Sequence, residues 1–550
     1  MSAERPSVWG GSIDPLCFLD ALTTTATERP EAVAVEDGDR SLTYAALLEW
    51  AGSVADLLGR QGVRPGEPVA VTGPRGAEVI AALLGIAMAG ATYVPLDPEY
   101  PAKRLEHMVT DSAARLLLYC GGEPGFDADV PRLRVPEPGG SGDPAPGGSG
   151  DPAGDRSGGD PAPRPLPCRP ELPVYIIYTS GSTGWPKGVT VTHSCLDAMA
   201  EWQAAHSPRP DLRTAQFAPL NFDVSFQEIL GTLRGGGTVV VVPERLRRTP
   251  DELLQWLVDH RVERLFLPYV AMQMLAVVAA ARDGLDGLRL TEVNVAGEQM
   301  VCTTQIRRFF ERLPGCRLVN HYGQSESAMV TSHILTGPPA DWPDLPPIGV
   351  PLPGCEVLVD PESPDDPAVG ELLVAGRPVS PGYLHRPELT ERRFRPTDPT
   401  PRGHTRVFHT GDLVRLVDGE VWFLNRIDDD VKIRGIRVNL LEVDAQLLAQ
   451  PGIDAAATVV VESASGVRGL RAAVVTAPGT GLPDTAAVLA ALRETLPAVS
   501  VPLSLTGVSA LPRTPSGKTD RDAVAALITQ ELRERRTTRT AVPVEGRTSG

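Results

Sequence analysis

The chain lacks long apolar runs, paired-cysteine spacings and any excess of basic residues. Its 550 residues include 52 basic and 69 acidic ones, a net charge of −17. Because this balance opposes binding to polyanions, we do not expect nucleic acid as a ligand. An apolar run of about 18 residues is missing, and the N-terminus has no basic start followed by an apolar core. The sequence therefore predicts neither a membrane span nor a signal peptide, and we expect a cytoplasmic protein.

The cysteines set a second limit. There are seven of them, an odd number, and none is arranged with CxxC spacing. The sequence therefore predicts neither a disulfide framework nor a zinc site, and it fits a reducing compartment. With 42% hydrophobic residues the chain can bury large cores, and its length predicts roughly three to four domain-sized units.

The most informative segment is YTSGSTGWPKGV at residues 178–189. It lies between two apolar, strand-like runs, so it is predicted to be a loop between strands. Between Thr179 and Gly188 it supplies four hydroxyl side chains, three glycines and a lysine, which is the chemistry that wraps a polyphosphate. A plain Gly/Ser hairpin would not need the lysine. The Walker pattern fails because Pro186 precedes Lys187 and Gly188 follows it.

The rest of the chain alternates strand-like and helix-like patterns, which predicts a layered α/β core. Between residues 121 and 170 the composition is dominated by Gly, Pro, Asp and Ser, and the same eight-residue sequence occurs twice, at 138–145 and 146–153. Such a stretch cannot form a packed core, so we predict a disordered insertion within one domain. The charge-dense segment 425–437 predicts a boundary between domains.

The loop at 178–189 resembles the phosphate loop of the adenylate-forming superfamily. That superfamily contains acyl-CoA synthetases, luciferases and the adenylation domains of nonribosomal peptide synthetases. The resemblance implies that a carboxylate attacks the α-phosphate of ATP, with Mg²⁺ as cofactor, to give an acyl adenylate and pyrophosphate. It implies a large N-terminal domain of layered sheets and helices, 1–425, and a small mobile α+β lid domain, 426–530. The charged end, 531–550, is predicted to be a disordered tail.

The resemblance also assigns residues to the ATP site. Lys187 would hold the β and γ phosphates, Glu326 would bind magnesium, Tyr322 would offer a face to adenine, and Asp412 would accept from the ribose hydroxyls. Taken alone, Glu326 would be interpreted as a surface carboxylate and Asp412 as a turn residue. The full set is Thr179, Ser180, Gly181, Ser182, Thr183, Gly184, Lys187, Gly297, Glu298, Asn320, Tyr322, Gly323, Ser325, Asp412 and Arg426.

Two further positions lie near the second domain. Lys518, in PSGKTDR, resembles the catalytic lysine of the family's last core motif, which enters the site for adenylation and then leaves. Asp428 matches the hinge position about which the small domain swings. The sequence departs from the usual family motifs at Gln324, Ser325, Asn425, Asn439 and Leu441. The last three departures leave the thioester-forming step open.

The substrate is predicted from residues that match the family's pocket. The motif FDxS at 222–225 resembles one whose Asp binds an α-amino group, which favours an amino acid over the substrates of an acyl-CoA synthetase. A non-catalytic adenylate-binding protein, the other alternative, would be expected to lose Lys518 or Glu326. The pocket residues are Asp223, Val224, Gln227, Asn294, Ala296, His321, Met329 and Val330, with a further position near Phe266 or Leu267.

This set resembles the pockets of proline-activating domains, in which Asp-Val-Gln and Ala-His recur together. Asn294 departs from them, and a buried amide needs a polar partner. L-proline or a close cyclic imino acid is therefore predicted, with room for a hydroxylated ring and with a polar acyclic amino acid as the alternative. Because no carrier motif follows Lys518, we expect a free-standing enzyme that loads a separate phosphopantetheine carrier protein. A small MbtH-like helper is a further candidate partner.

Overall fold

The computed structural model describes residues 5–14, 16–138, 169–181, 184–282, 285–427, 430–462, 468–476, 482–513 and 519–540, with the backbone alone for residues 534–540. Four residues with predicted roles lie outside these ranges, namely Ser182, Thr183, Asp428 and Lys518. Their roles stay predictions.

The helices in the described residues are α1 (Phe18–Glu28), α2 (Tyr44–Arg60), α3 (Ala77–Met88), α4 (Ala102–Asp111), α5 (His193–His206), α6 (Asp223–Arg234), α7 (Pro250–Asp259), α8 (Tyr269–Ala280), α9 (Thr304–Glu311), α10 (Pro387–Arg393), α11 (Leu440–Leu448), α12 (Thr485–Leu492) and α13 (Arg521–Thr540). Short 3₁₀ helices are Glu244–Arg248, Pro339–Asp341 and Ala498–Ser500. None of the described helices combines the length and the apolar character needed to cross a bilayer.

The strands are β1 (Ser7–Trp9), β2 (Val33–Asp37), β3 (Arg40–Thr43), β4 (Pro68–Thr72), β5 (Thr92–Leu96), β6 (Leu117–Tyr119), β7 (Arg132–Arg134), β8 (Pro173–Thr179), β9 (Lys187–Thr192), β10 (Arg213–Gln216), β11 (Thr238–Val241), β12 (Arg264–Pro268), β13 (Glu292–Ala296), β14 (Arg317–Gln324), β15 (Ala328–Leu335), β16 (Val350–Pro351), β17 (Cys355–Pro361), β18 (Val369–Gly376), β19 (Gly382–Tyr383), β20 (Phe394–Pro396), β21 (Arg406–Val417), β22 (Glu420–Arg426), β23 (Asp430–Ile433), β24 (Ile436–Asn439), β25 (Ile453–Glu462), β26 (Arg468–Thr476) and β27 (Leu505–Gly507).

Two compact units make up the chain. The first comprises Met1–Pro98, Leu105–Thr179 and Lys187–Asp428, and the second comprises Glu99–Arg104, Ser180–Pro186 and Asp429–Gly550. The sequence predicted a change of domain after residue 425, and the contacts place it a few residues later. They also assign two short segments from the N-terminal half to the second unit, which the sequence did not indicate.

Three sheets build the first unit. Their strand orders are β19-β9-β8-β5-β4-β6-β7, β16-β15-β14-β13-β12-β10-β11-β2-β3 and β1-β17-β18-β21-β20, with β22 on β21. In the second of these, strands β10 to β14 pair in parallel, as expected where helices alternate with strands. Helix α3 is buried on nearly every side, because its residues other than Glu78 are small or apolar. The predicted layered α/β class is confirmed.

The second unit has its own apolar core. Strands β25, β26 and β27 form one sheet, and β23 pairs with β24 in a separate hairpin. Helix α11 contributes Val443 and Leu447 to this core, which they share with Leu470 and Val474 of β26. Because such a core is separate from that of the first unit, this unit has the character of a domain.

The predicted insertion was wrong for its first part. Residues 121–138 are not a disordered segment: β7 pairs in parallel with β6, and Val135 is 1% exposed. The Trp50 indole donates to the Pro136 carbonyl oxygen at 2.6 Å. The physical reason is that this part still carries apolar residues, whereas the Gly-rich repeats begin only at residue 138. Residues 139–168 lie outside the described ranges.

The predicted disordered tail was also wrong at its start. Helix α13 continues to Thr540, past the predicted limit at residue 531. Val524 and Ile528 are 0% and 1% exposed. Because they are four residues apart, they lie on the same face of this helix and bury it. The Leu, Glu and Arg residues that follow have high helix propensity. Residues 541–550 lie outside the described ranges.

Candidate active site

Lys187 and Glu326 lie together in the first unit. Lys187 begins β9 and pairs with Thr179, the last residue of β8, so the segment between them connects two strands, as predicted. The Lys187 ammonium lies 3.9 Å from Glu326 Oε1 and 4.3 Å from the centre of the Tyr383 ring. The Tyr383 hydroxyl donates to the same carboxylate oxygen at 2.8 Å. Since Glu326 is fully buried, this cation and hydroxyl stabilise its charged form.

A tight turn presents Glu326 between β14 and β15. A Cβ atom on Gly323 would lie 1.9 Å from the Ala328 carbonyl oxygen, so only glycine fits there. Ala328 itself adopts a φ of 47°, a region that non-glycine residues rarely occupy. Strain of this kind persists where the surrounding structure imposes it, which is common at functional sites.

Most of the predicted phosphate loop belongs to the second unit. Ser180 Oγ donates to the Arg437 carbonyl oxygen at 3.3 Å, and Gln446 Nε2 donates to the Gly184 carbonyl oxygen at 2.7 Å. Burial raises the pKa of Glu442, although Arg104 and the backbone amide of Gly181 both act to lower it. The backbone amide of Gly181 is thus directed at the Glu442 carboxyl group.

The carboxylate of Asp412 is the centre of a second polar group, which we call the Asp412 cluster (Tyr322, Gln324, Asp412 and Arg426). Tyr322 Oη and Gln324 Nε2 donate to Asp412 Oδ2 at 2.5 and 2.6 Å. Arg426 donates to Asp412 Oδ1 at 2.6 Å. Asp412 is 2% exposed, and burial together with this carboxylate raises the pKa of Tyr322 well above its usual value. Tyr322 is therefore a neutral donor.

The other residues predicted for the ATP site differ in their burial and in their hydrogen-bond partners. Asn320 is buried and donates to the Pro347 carbonyl oxygen at 2.8 Å. Glu298 Oε2 accepts from the backbone amide of Val270, in the first turn of α8, at 3.3 Å. Gly297 has a φ of 88°, a conformation that favours glycine. Ser325 is half-buried in the turn before Glu326.

The predicted substrate residues come from three strands of one sheet and from one helix. Parallel pairing aligns Arg264 with Glu292 and Phe266 with Asn294. Side chains two residues apart share a face, so Glu292, Asn294 and Ala296 point the same way. Asp223, Val224 and Gln227 lie in the first turns of α6, at spacings that place them on one side of that helix.

Hydrogen bonds link this face to the helix through a group that we call the pocket floor (Gln203, Gln227, Glu292, Asn294 and His321). Gln227 Nε2 donates to Gln203 Oε1 at 2.7 Å, and Gln203 Nε2 donates to Glu292 Oε1 at 3.0 Å. Asn294 Nδ2 donates to the same oxygen at 3.2 Å. His321 Nε2 lies 2.8 Å from Asn294 Oδ1. Five side chains therefore form one continuous network.

Charge and protonation within the pocket floor follow from its contacts. Glu292 is 2% exposed, and Arg317 donates to its Oε2 at 2.6 Å. Asn294 donates through its nitrogen, so its oxygen accepts and His321 is the donor at Nε2. Burial lowers the pKa of His321 to about 3, so the ring is neutral at pH 7. Its Nδ1 is an acceptor, for which the described residues supply no hydrogen-bond partner.

The other residues predicted for the substrate pocket are less closely linked to the pocket floor. Met329 Sδ lies 3.3 Å from Gln227 Nε2, and the Phe266 and His321 rings stack at 6.4 Å between centroids. Val330 is fully buried in the apolar core. Asp223 is the first residue of α6 rather than its capping residue. Its Oδ1 accepts from the Val224 backbone amide at 2.9 Å. Of this set, Gln227, Asn294, His321 and Met329 are brought together.

Sequence reasoning missed several residues of both groups. Gln203 lies on α5, Glu292 lies two residues before Asn294, and Tyr383 and Gln324 contact predicted carboxylates. The alternation along β13 would have indicated Glu292, because Asn294 and Ala296 were already assigned to the same face. Nothing in the local sequence indicates Gln203, whose contacts are formed only by the tertiary fold.

Comparison with known proteins identifies the class. A family model described as "AMP-binding enzyme" matches residues 22–384, so the chain belongs to the AMP-binding enzyme family. Phosphinothricin tripeptide synthetase PhsC of Streptomyces viridochromogenes is 35% identical over 509 residues, or 92% of this chain and 44% of that protein. Phenyloxazoline synthase MbtB of a Mycobacterium species is 34% identical, over 94% of this chain and 42% of that protein. The chain thus spans less than half the length of these curated relatives.

Solved structures extend the comparison. Holo-PA1221, a nonribosomal peptide synthetase protein with adenylation and carrier domains, superposes with a TM-score of 0.75 at 27% identity, over 93% of this chain and 84% of that one. The amide bond synthetase McbA of Marinactinospora thermotolerans gives a TM-score of 0.76 at 26% identity, over 93% and 99%. The chain is therefore an AMP-forming ligase of the adenylation-domain type, as the sequence predicted.

Proposed function

We propose that this enzyme activates L-proline or a close cyclic imino acid with ATP and transfers it to the phosphopantetheine thiol of a carrier protein. The observation that supports this substrate is the internal hydrogen bonding of the pocket floor. Asn294 accepts from His321 and donates to Glu292. The buried amide that seemed to require a polar substrate is already satisfied by the protein.

Apart from Asp223, which would face the substrate amine, the pocket residues that would face the substrate side chain are apolar or neutral. Met329 contacts Gln227, and the Phe266 ring stacks on a neutral His321. A charged substrate side chain would lose its hydration here without gaining a charged partner, which strongly opposes its binding. A compact ring with no polar substituent would bury its surface without bringing an unpaired polar group into the pocket.

The polar groups of the first unit fit the adenylation reaction. Asp223 would bind the substrate amine, and the Asp412 carboxylate would accept from ribose hydroxyls. Glu326 supplies the oxygen donors that Mg²⁺ prefers, and Lys187 beside it would offset phosphate charge. A bound Mg²⁺ would neutralise charge on the phosphates. The carboxylate oxygen of the amino acid bonds to the α-phosphorus while the bond to pyrophosphate breaks.

One observation favours a second substrate. His321 Nδ1 is a buried acceptor with no hydrogen-bond partner among the described residues. A hydroxyl group on the substrate ring could donate to it, which would favour a hydroxylated imino acid over proline. The two candidates differ by one hydrogen bond, so each predicts a distinct order of activities.

Amino-acid-dependent exchange of pyrophosphate into ATP tests the proposal. The panel should contain L-proline, pipecolate, 4-hydroxyproline, valine, asparagine, phenylalanine and lysine. We expect the imino acids to exceed every acyclic amino acid by at least roughly tenfold in kcat/KM. Strong turnover of phenylalanine or lysine without turnover of any imino acid would reject the substrate assignment while leaving amino acid adenylation intact.

The transfer step needs its own assay. A holo carrier protein that acquires the amino acid, detected by intact-protein mass spectrometry, would support it, whereas adenylate formed without loading of any carrier tested would oppose it.

Lys518→Ala tests the predicted catalytic lysine, and we expect exchange to fall by at least roughly 100-fold with ATP binding largely intact. Exchange within about threefold of wild type would reject that role.

A further inference from the structure

A cluster of three potential metal ligands lies outside the Asp412 cluster, the pocket floor and the Lys187–Glu326 pair. It consists of Cys17, His193 and Asp197, whose ligand atoms all lie within 4.8 Å of one another. All three residues are buried, at 7%, 4% and 3% exposure. His193 and Asp197 are one turn apart on α5, and Cys17 directly precedes α1. Ligands four residues apart on a helix face the same side.

Two groups of this cluster, Asp197 and His193, have few polar partners in the described part of the chain. Asp197 Oδ1 accepts a single backbone hydrogen bond, from Phe18 at 2.9 Å, and the described residues place no cation within ion-pair distance of this carboxylate. His193 Nδ1 is buried without a hydrogen-bond partner in the described part of the chain. The Phe18 ring stacks on the imidazole at 5.4 Å between centroids. Burial of such groups is costly unless a partner is supplied.

We propose that Cys17, His193 and Asp197 bind a structural zinc ion. The thiolate, the neutral imidazole and the carboxylate are the three donor types that Zn²⁺ takes in proteins. Their summed charge of minus two would be neutralised by one divalent cation, so the buried centre would carry no net charge. A structural zinc is usually four-coordinate, so a water or a backbone oxygen would complete the shell.

The geometry is compatible with this ion. Zinc bonds of about 2.0–2.3 Å in a tetrahedral arrangement separate ligand atoms by roughly 3.5 Å. Atoms already within 4.8 Å of one another need only side-chain rotation to reach that spacing. Leu16, next to Cys17, is 63% exposed, so the site lies one residue from the surface. The sequence did not indicate zinc because these ligands are far apart in the chain and become neighbours only after folding.

Metal analysis and cobalt spectroscopy of the full chain, without a histidine tag, test the proposal. We expect close to one zinc per chain by mass spectrometry after dialysis against a weak chelator. Stripped protein titrated with Co²⁺ should develop a sulfur-to-cobalt charge-transfer band and the visible bands of a tetrahedral ion. Added Zn²⁺ should abolish these bands and raise the Tm, because the ion binds only the folded state.

Two variants and one control locate the site. Cys17→Ser should remove the charge-transfer band, and Asp197→Asn should weaken zinc binding by at least roughly 100-fold. Cys302→Ser, which alters a buried thiol in a different apolar cluster, should leave both unchanged. Wild-type protein that neither retains zinc nor gives the cobalt band would overturn the proposal. So would a band that survives in folded Cys17→Ser protein, as judged by circular dichroism.

Discussion

The Asp412 cluster and the pocket floor are both buried and polar, but they carry their charge differently. In the Asp412 cluster the carboxylate that would meet the ligand is itself charged, and Arg426 lies 2.6 Å from it. In the pocket floor the charge belongs to Glu292, with Arg317 beside it, and the amide of Gln203 separates this carboxylate from Gln227. A fixed charge would suit the ribose of ATP, which is the same whichever amino acid is activated. Neutral groups would suit the side chain of the amino acid, which differs between enzymes of this class.

This difference makes separate predictions for the two substrates. A change in the Asp412 cluster should affect ATP, and a change in the pocket floor should affect the amino acid. Because neither group shares a hydrogen bond with the other among the described residues, their effects should add within about 0.5 kcal/mol in a double variant.

The largest effect is expected from Asp412→Asn. The substitution keeps the shape of the side chain but removes the charge that Arg426 and the ribose hydroxyls would share. Charge-assisted hydrogen bonds are worth about 1.5–3 kcal/mol each. We expect kcat/KM for ATP to fall by roughly 100-fold, with the amino acid KM changed less than about twofold.

The matched control for this change is Asp366→Asn. Asp366 is about half exposed and pairs with Arg415 at 3.3 Å, so it carries the same charge outside the cluster. It should leave exchange kinetics unchanged, because exposed ion pairs contribute little. An equal loss in both variants would mean that the effect of Asp412→Asn is not local.

The next effect is expected from Gln203→Leu. Leucine keeps the volume but removes the acceptor of Gln227 and the donor to Glu292. With its orienting partner gone, Gln227 should take several rotamers, and the amino acid KM should rise by roughly tenfold while the ATP KM stays constant. Gln255→Leu, on an exposed face of α7, is the control. A rise in both KM values would indicate a general loss of folding instead.

The third effect concerns stability and the neutral His321. Burial lowers the folded-state pKa of this residue to about 3, while an unfolded histidine titrates near 6.5. Between these values the unfolded state binds the extra proton, so the free energy of unfolding falls as the pH is lowered from 6.5 towards 3. His321→Asn removes this titration. Between pH 7 and 5.5 wild type should lose about 1 kcal/mol more than the variant in urea unfolding, and equal losses would contradict the buried neutral ring.

The sequence predicted the adenylation class, the loop between β8 and β9, and the carboxylates Glu326 and Asp412 as site residues. These features are local, since each depends on a motif of adjacent residues. The partners of those side chains were not predictable in the same way. Tyr383 reaches Glu326 from another strand, and Gln203 reaches the pocket floor from α5. Such contacts depend on the packing of elements far apart in the chain.

Two errors in the fold have a related cause. The insertion was predicted from average composition, which hid the buried apolar residues Phe126 and Val135 and the strand β7 between them. The tail was predicted from its charge, although Glu and Arg are good helix formers once Val524 and Ile528 anchor the helix. In both cases a few buried apolar side chains determine the local structure, although most of the neighbouring residues are of other types.

The smallest effect is expected at Gln324, where the family usually has proline. No role was predicted for this departure, but Gln324 Nε2 donates both to Asp412 Oδ2 and to the Thr410 carbonyl oxygen. Gln324→Leu removes these bonds and keeps the backbone amide, whereas Gln324→Pro restores the usual family residue. Because Tyr322 and Arg426 still hold the carboxylate, we expect the ATP KM to rise only about two- to fivefold in either variant. A loss as large as that of Asp412→Asn would show that Gln324, and not the pairing with Arg426, holds the Asp412 carboxylate in place.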